Sequence, residues 1–190
     1  MFKIERKGDT FPIKQNFLDA LIRWGKELHR SRVVSVQGGS LSYRYGLGFV
    51  VTAAEADLTH LTPADLVLVE EWNAVDSRVV IRGSKEPAHQ SFLHGIVYQN
   101  RSAAIFTFFV DALLTVKSMK ELGLPATDGE YPNPFAIKMD DVERKLGQGN
   151  ILVVQNQGIL SWGCTAEDAG TPLLTLQQRV QNMRVTKGAF

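Results

Sequence analysis

The stretch that decides the architecture reads PAHQSFLHGIVYQN at 87–100 and RSAAIFTFFV at 101–110. The first segment predicts a helix from about Pro87 to Asn100, and the second an apolar strand from Ala103 to Phe109. Upstream, Ile13 to about Arg30 reads as an amphipathic helix, with Phe17, Leu18, Leu21, Ile22 and Leu28 at near-helical spacing. Residues 33–37, 41–44 and 48–52 read as short strands broken by Gly38-Gly39 and Gly46. Thr62-Pro63-Ala64-Asp65 carries a helix-start signature that must be short, because Leu66 to Val69 is β-rich. RVVIRG at 78–83 reads as a further strand. Downstream, Asp111 can cap a helix that ends near Gly123. A helix from Met139 to Leu146 stops at Gly147. Residues 151–154 and 159–162 form a hairpin pattern around Asn156-Gln157-Gly158. Thr165 and Asp168 have capping-box spacing for a last helix to about Arg184. Alternating strands and helices, with hairpins between some strands, imply α/β layers around a mixed sheet.

Composition narrows the function classes. At 190 residues, 44% hydrophobic and 22% charged, the chain fits one soluble globular domain over 1–190. A net charge of +1 argues against a nucleic-acid partner. The basic group Arg23, Lys26, Arg30 and Arg32 reads as a solvated helix face. Cys164 is the only cysteine, so neither an intrachain disulfide nor a Cys-based zinc site can form within one chain. No segment approaches the ~18 apolar residues of a membrane span, and MFKIERKGDTF at the start lacks an apolar targeting core. A cytoplasmic protein without a membrane partner is the expectation.

Several segments in this order carry a resemblance: GGSLS at 38–42, LTPADLVLVE at 61–70, PAHQSFLH at 87–94, AAIFTFF at 103–109 and NQGILSWG at 156–163. Together they resemble the class II aldolase/adducin family over nearly the whole chain. That resemblance implies a three-layer α/β/α sandwich around a mixed, largely antiparallel sheet. It also implies a homo-oligomer, typically a tetramer, with a cleft near a subunit boundary. Active members hold zinc with a His-x-His pair and a His in an Asn-His-Gly turn. On this resemblance the matching positions are Phe106, Phe108 and Gln157, so the metal site reads as degenerate and no cofactor is expected.

The family's base, a Glu in a P-S-S-E segment, falls on Gln90 when Pro87 and His94 are matched, and Ala88 and His89 then replace the two serines. A shifted match would put Glu86 there instead. The family's phosphate contacts fall on Gln37, Gly38, Gly39, Ser40, Ala88 and His89. Backbone N–H groups of Gly38-Gly39 could still receive an anion, although a tight turn using glycine's freedom is the plainer reading. A Gln amide has no useful basicity, and phenyl rings offer a metal no lone pair. His29 and His94 read as structural and His60, in a loop, is uninformative, while His89 could face the old cleft. The expected function is non-catalytic small-molecule binding or a scaffold role, for which the adducin head is the family's precedent. The alternative is altered lyase or epimerase chemistry on a small sugar, sugar phosphate or keto acid, with His89 as acid/base and Gln90 and Gln157 as hydrogen-bond donors.

Overall fold

The computed structural model describes residues 3–111, 122–147 and 149–186. Among them, eight strands form one sheet in the order β1-β5-β4-β3-β2-β6-β8-β7. The strands are β1 (Lys3–Gly8), β2 (Gly39–Tyr45), β3 (Gly48–Thr52), β4 (Leu66–Asn73), β5 (Arg78–Arg82), β6 (Phe106–Val110), β7 (Ile151–Val154) and β8 (Gly158–Gly163). Only β1 runs parallel to its neighbour, β5, and every other strand pair is antiparallel. The sheet is therefore mixed and largely antiparallel, as the resemblance implies.

Helix α1 (Gln15–Arg30) buries Leu18, Leu21, Trp24, Gly25 and Leu28, three or four residues apart, on one side of the sheet. Helix α4 (Ala166–Thr186) packs beside it, and the contact is close because a β-carbon on Gly170 would collide with the Trp24 ring. Helices α2 (Ser91–Asn100) and α3 (Met139–Lys145) pack together on the opposite side. Side chains alternate along β6, so Phe108 meets Trp24 of α1 while Thr107, paired with Ser42, belongs to the side of α2. Helices thus cover both faces, giving three layers.

Helix α4 contains Pro172, which cannot donate to the carbonyl four residues back. That carbonyl, on Asp168, accepts Asn150 Nδ2 at 3.0 Å, and the next one, on Ala169, accepts the buried Ser161 hydroxyl at 2.6 Å. The one carbonyl that the proline frees, on Asp168, therefore keeps a partner.

Some segments differ from the sequence expectation for local reasons. Residues 33–37 form turns, not a strand. Strand β1 goes unannounced because its alternation is exposed and charged at a sheet edge. Helix α2 begins at Ser91 because Pro87 bridges Ala53 and Ala88 N–H donates to Thr52 O at 3.1 Å, which holds both in extended pairing. Thr62–Asp65 makes a single 3-10 turn with a complete capping box. The capping box at Thr165 and Asp168 is also present. The helix expected after Asp111 falls mainly on 112–121, outside the described residues.

Candidate functional site

Strands β2 and β8 begin, and β3, β6 and β7 end, at one end of the sheet. The segments that the sequence singled out converge there. Gly39 pairs with Val110, and Asp111 N–H donates to Gly38 O at 2.8 Å. Ala88 follows the bridge to β3, buried, with His89 exposed and Gln90 half-buried at the start of α2. Gln157 lies in the β7–β8 turn, where Asn156 takes φ 62° and Gly158 has no room for a β-carbon against Val110 O. Opposite His89 stands the ring of Phe135, 5.3 Å between centroids, from the 3-10 turn Pro134–Ala136.

Phe106 and Phe108 are not part of this rim. Phe106 packs against Phe17 at 5.2 Å and Phe108 against Trp24 at 6.1 Å, both on the α1 side of the sheet. Phe106 also sits at the far end of β6, beside Gly163. The residues with the same two-residue spacing on the α2 side are Phe109, paired with Ser40, and Asp111 just beyond the strand. Glu86 is exposed before the bridge, its carbonyl accepting Ala54 N–H at 2.9 Å.

Beneath the rim lies a network that sequence reasoning saw only as a structural histidine. His94 is fully buried, with Nε2 2.8 Å from Ser40 Oγ and Nδ1 2.7 Å from Ser42 Oγ. Ser42 Oγ also lies 2.8 Å from the Tyr98 hydroxyl and donates to Thr107 O at 3.1 Å. A hydroxyl has one proton, so with that proton on Thr107 O, Ser42 accepts from both Tyr98 and His94. His94 then carries its proton on Nδ1, and Ser40 donates to Nε2. Burial pulls the His94 pKa down to about 3, so the ring is neutral, and burial pushes the Tyr98 phenol up. The network fixes the start of β2 against α2 and so sets the floor of the rim.

One wall depends on Asp141, the buried acid of α3. Its carboxylate accepts the Tyr131 hydroxyl at 2.6 Å and the N–H groups of Asp128 and Gly129 at 3.2 and 2.9 Å. These hydrogen bonds outweigh its burial and lower its pKa to about 2. Tyr131, so placed, accepts Gln157 Nε2 on its carbonyl at 2.7 Å. The Gln157 amide is therefore tied down as a donor to the protein itself.

Protein-bound zinc takes about four nitrogen, sulfur or oxygen donors. Among the described residues no three His, Cys, Asp or Glu side chains are grouped to hold a metal. Among the described residues, the side chains at this rim do not make up a zinc ligand set. No helix among the described residues is long and apolar enough to cross a membrane.

The family model for the class II aldolase and adducin N-terminal domain matches residues 19–183. No curated protein matches the chain. Among solved structures, the chain is similar to L-fuculose-1-phosphate aldolase from Thermus thermophilus, with a TM-score of 0.68 and 18% identity over 93% of this chain and 98% of that one. It is similar to a sugar-phosphate aldolase from Thermotoga maritima, with a TM-score of 0.73 and 11% identity over 93% and 97%. A third likeness is to the N-terminal class II aldolase domain of a Thermoplasma acidophilum protein, with a TM-score of 0.69 and 12% identity over 92% and 96%. At these identities the likeness speaks for the fold alone.

Proposed function

Because the chain belongs to the class II aldolase and adducin N-terminal domain family, we propose that it uses the family's frame to bind a small, oxygen-rich molecule without turning it over. The observation that supports this most is the pair of amides at the rim. Gln90 stands half-buried at the head of α2, and the Gln157 amide is held by Tyr131 O. Carboxamides orient hydroxyl and carbonyl groups well, but they do not take a proton from carbon. In this reading Gly38, Gly39 and Ser40 stand at the back of the binding cleft, and Ala88 and His89 at its lip.

The rival reading keeps chemistry in the cleft through His89, whose ring is exposed at the mouth against Phe135. It requires that His89 act alone as acid and base, with no carboxylate at Gln90. The family resemblance also supports self-association as a homo-oligomer, tetrameric by analogy, which sedimentation would read as a mass above that of one chain.

The metal content of protein purified without chelator tests the reading. Well under one zinc per chain is expected. Near-stoichiometric zinc that disappears in a Gln157→Ala variant would overturn it.

A further inference from the structure

The turn that leads into β2 already holds an anion, and the anion belongs to the chain. Residues 35–38 close a turn through Gly38 N–H and Ser35 O at 3.3 Å. Asp111 N–H then donates to Gly38 O at 2.8 Å, which lays Asp111 across that turn. Its carboxylate accepts hydrogen bonds from the Ser35 N–H and the Ser35 hydroxyl, which offset only part of its burial, so its pKa is raised. Gly38 is required by this approach, because a β-carbon there would collide with both carboxylate oxygens and with Ser35 Oγ. Backbone and hydroxyl donors converging on a half-buried oxyanion make an anion cradle, and Asp111 is its occupant. Among the described residues no basic side chain lies within ion-pair distance of Asp111.

A second anion brought to this position meets the like charge of the half-buried Asp111 carboxylate. Like charges at contact distance repel, and more strongly where the surroundings are less polar than bulk water. A neutral hydroxyl or carbonyl meets no such barrier, and a hydroxyl can donate to the carboxylate.

We propose that Asp111 determines the ligand class of the cleft: by filling the cradle of the Ser35–Gly39 turn it excludes phosphorylated compounds and admits unphosphorylated polyols and carbonyl compounds. The ligand assignment rests on the cleft being a binding site, as proposed above. The cradle itself can be tested without an organic ligand.

The probe is inorganic phosphate, titrated at constant ionic strength while the amide resonances of Gly38, Gly39 and Ser40 are followed. The parent protein is expected to show no saturable shift up to tens of millimolar. Asp111→Ser, which removes the charge and leaves a donor, is expected to bind phosphate at least about tenfold more tightly, with shifts centred on these residues. Asp111→Asn keeps the side-chain shape and is expected to move the same way by less. It carries the test alone if the Ser variant does not fold, as judged by thermal unfolding. Saturable shifts in the parent would overturn the proposal and leave the binding reading standing. Folded variants that stay silent would overturn it as well. A gain in both variants, beside a parent that binds no carbonyl compound at all, would sink the binding reading and leave the cradle assignment in place.

Discussion

From β6, Phe106 and Phe108 point into the α1 layer, whereas Thr107 and Phe109 point toward α2, with Asp111 following them just past the strand. The first face is sealed by Phe17, Tyr43 and Trp24. The second meets a ring of polar groups: Ser40, Ser42, His94 and Tyr98. One residue of offset along a strand therefore separates core from site. A two-residue spacing marks a shared face, but it does not say which face.

The comparison can be broken most forcefully on the α1 side. Phe108 is fully buried, so Phe108→Ala should cost about 3–5 kcal/mol in denaturant unfolding, by lost burial and the cavity left behind. A Phe106→His, Phe108→His double variant should be strongly destabilised and should recruit no zinc in equilibrium dialysis, because both imidazoles would enter an apolar layer. Tight zinc binding by that variant would mean that the two faces are assigned the wrong way round.

On the α2 side, His94→Ala should cost about 2–4 kcal/mol, since it leaves Ser40 and Ser42 without their shared partner. The same residue gives a pH signature. Its folded pKa, about 3, lies below its ordinary 6.5, so the unfolded chain binds the extra proton first. Its contribution is full above about pH 6.5 and is lost as the pH falls toward 3. The His94→Ala variant should show a flatter stability profile across that window.

The wall gives a smaller effect in a different window. Asp141→Asn should cost about 1–3 kcal/mol, and the Gln157 amide resonance should broaden as Tyr131 loosens. With a folded pKa of about 2 against an ordinary 3.8, Asp141 contributes stability that is full above about pH 4 and is lost toward pH 2. Adding the His94→Ala, Asp141→Asn double variant would show whether floor and wall are independent, in which case the two costs add.

Much of the architecture was legible in the sequence, for a physical reason. Strands such as β6 and β8 announce themselves because both of their faces are buried and their runs are apolar. Strand β1 does not, since KIERKG keeps one edge in water. Residues 33–37 look β-rich, yet Asp111 and Ser35 bend them into turns through contacts far apart in sequence. The segments 38–40, 88–90 and 157, singled out in the sequence as a candidate site, fall at one end of the sheet. The sequence could not orient Phe106 and Phe108, because orientation depends on the register with β2 and β8. Asp111 read only as a helix cap. The signal that could have marked it is its two-residue spacing from Phe109, the same as that between Phe106 and Phe108.

Binding without turnover is the claim on which the rest turns. Dihydroxyacetone and pyruvate, each mixed with the protein in D2O, test it in one NMR experiment. Protein amides at 38–40, 88–90 and 157 report binding, and loss of the ligand's protons beside the carbonyl reports enolisation. Saturable amide shifts with deuterium uptake no faster than in buffer are expected. Protein-dependent uptake that vanishes in His89→Ala would contradict the account, and so would an absence of shifts with every ligand.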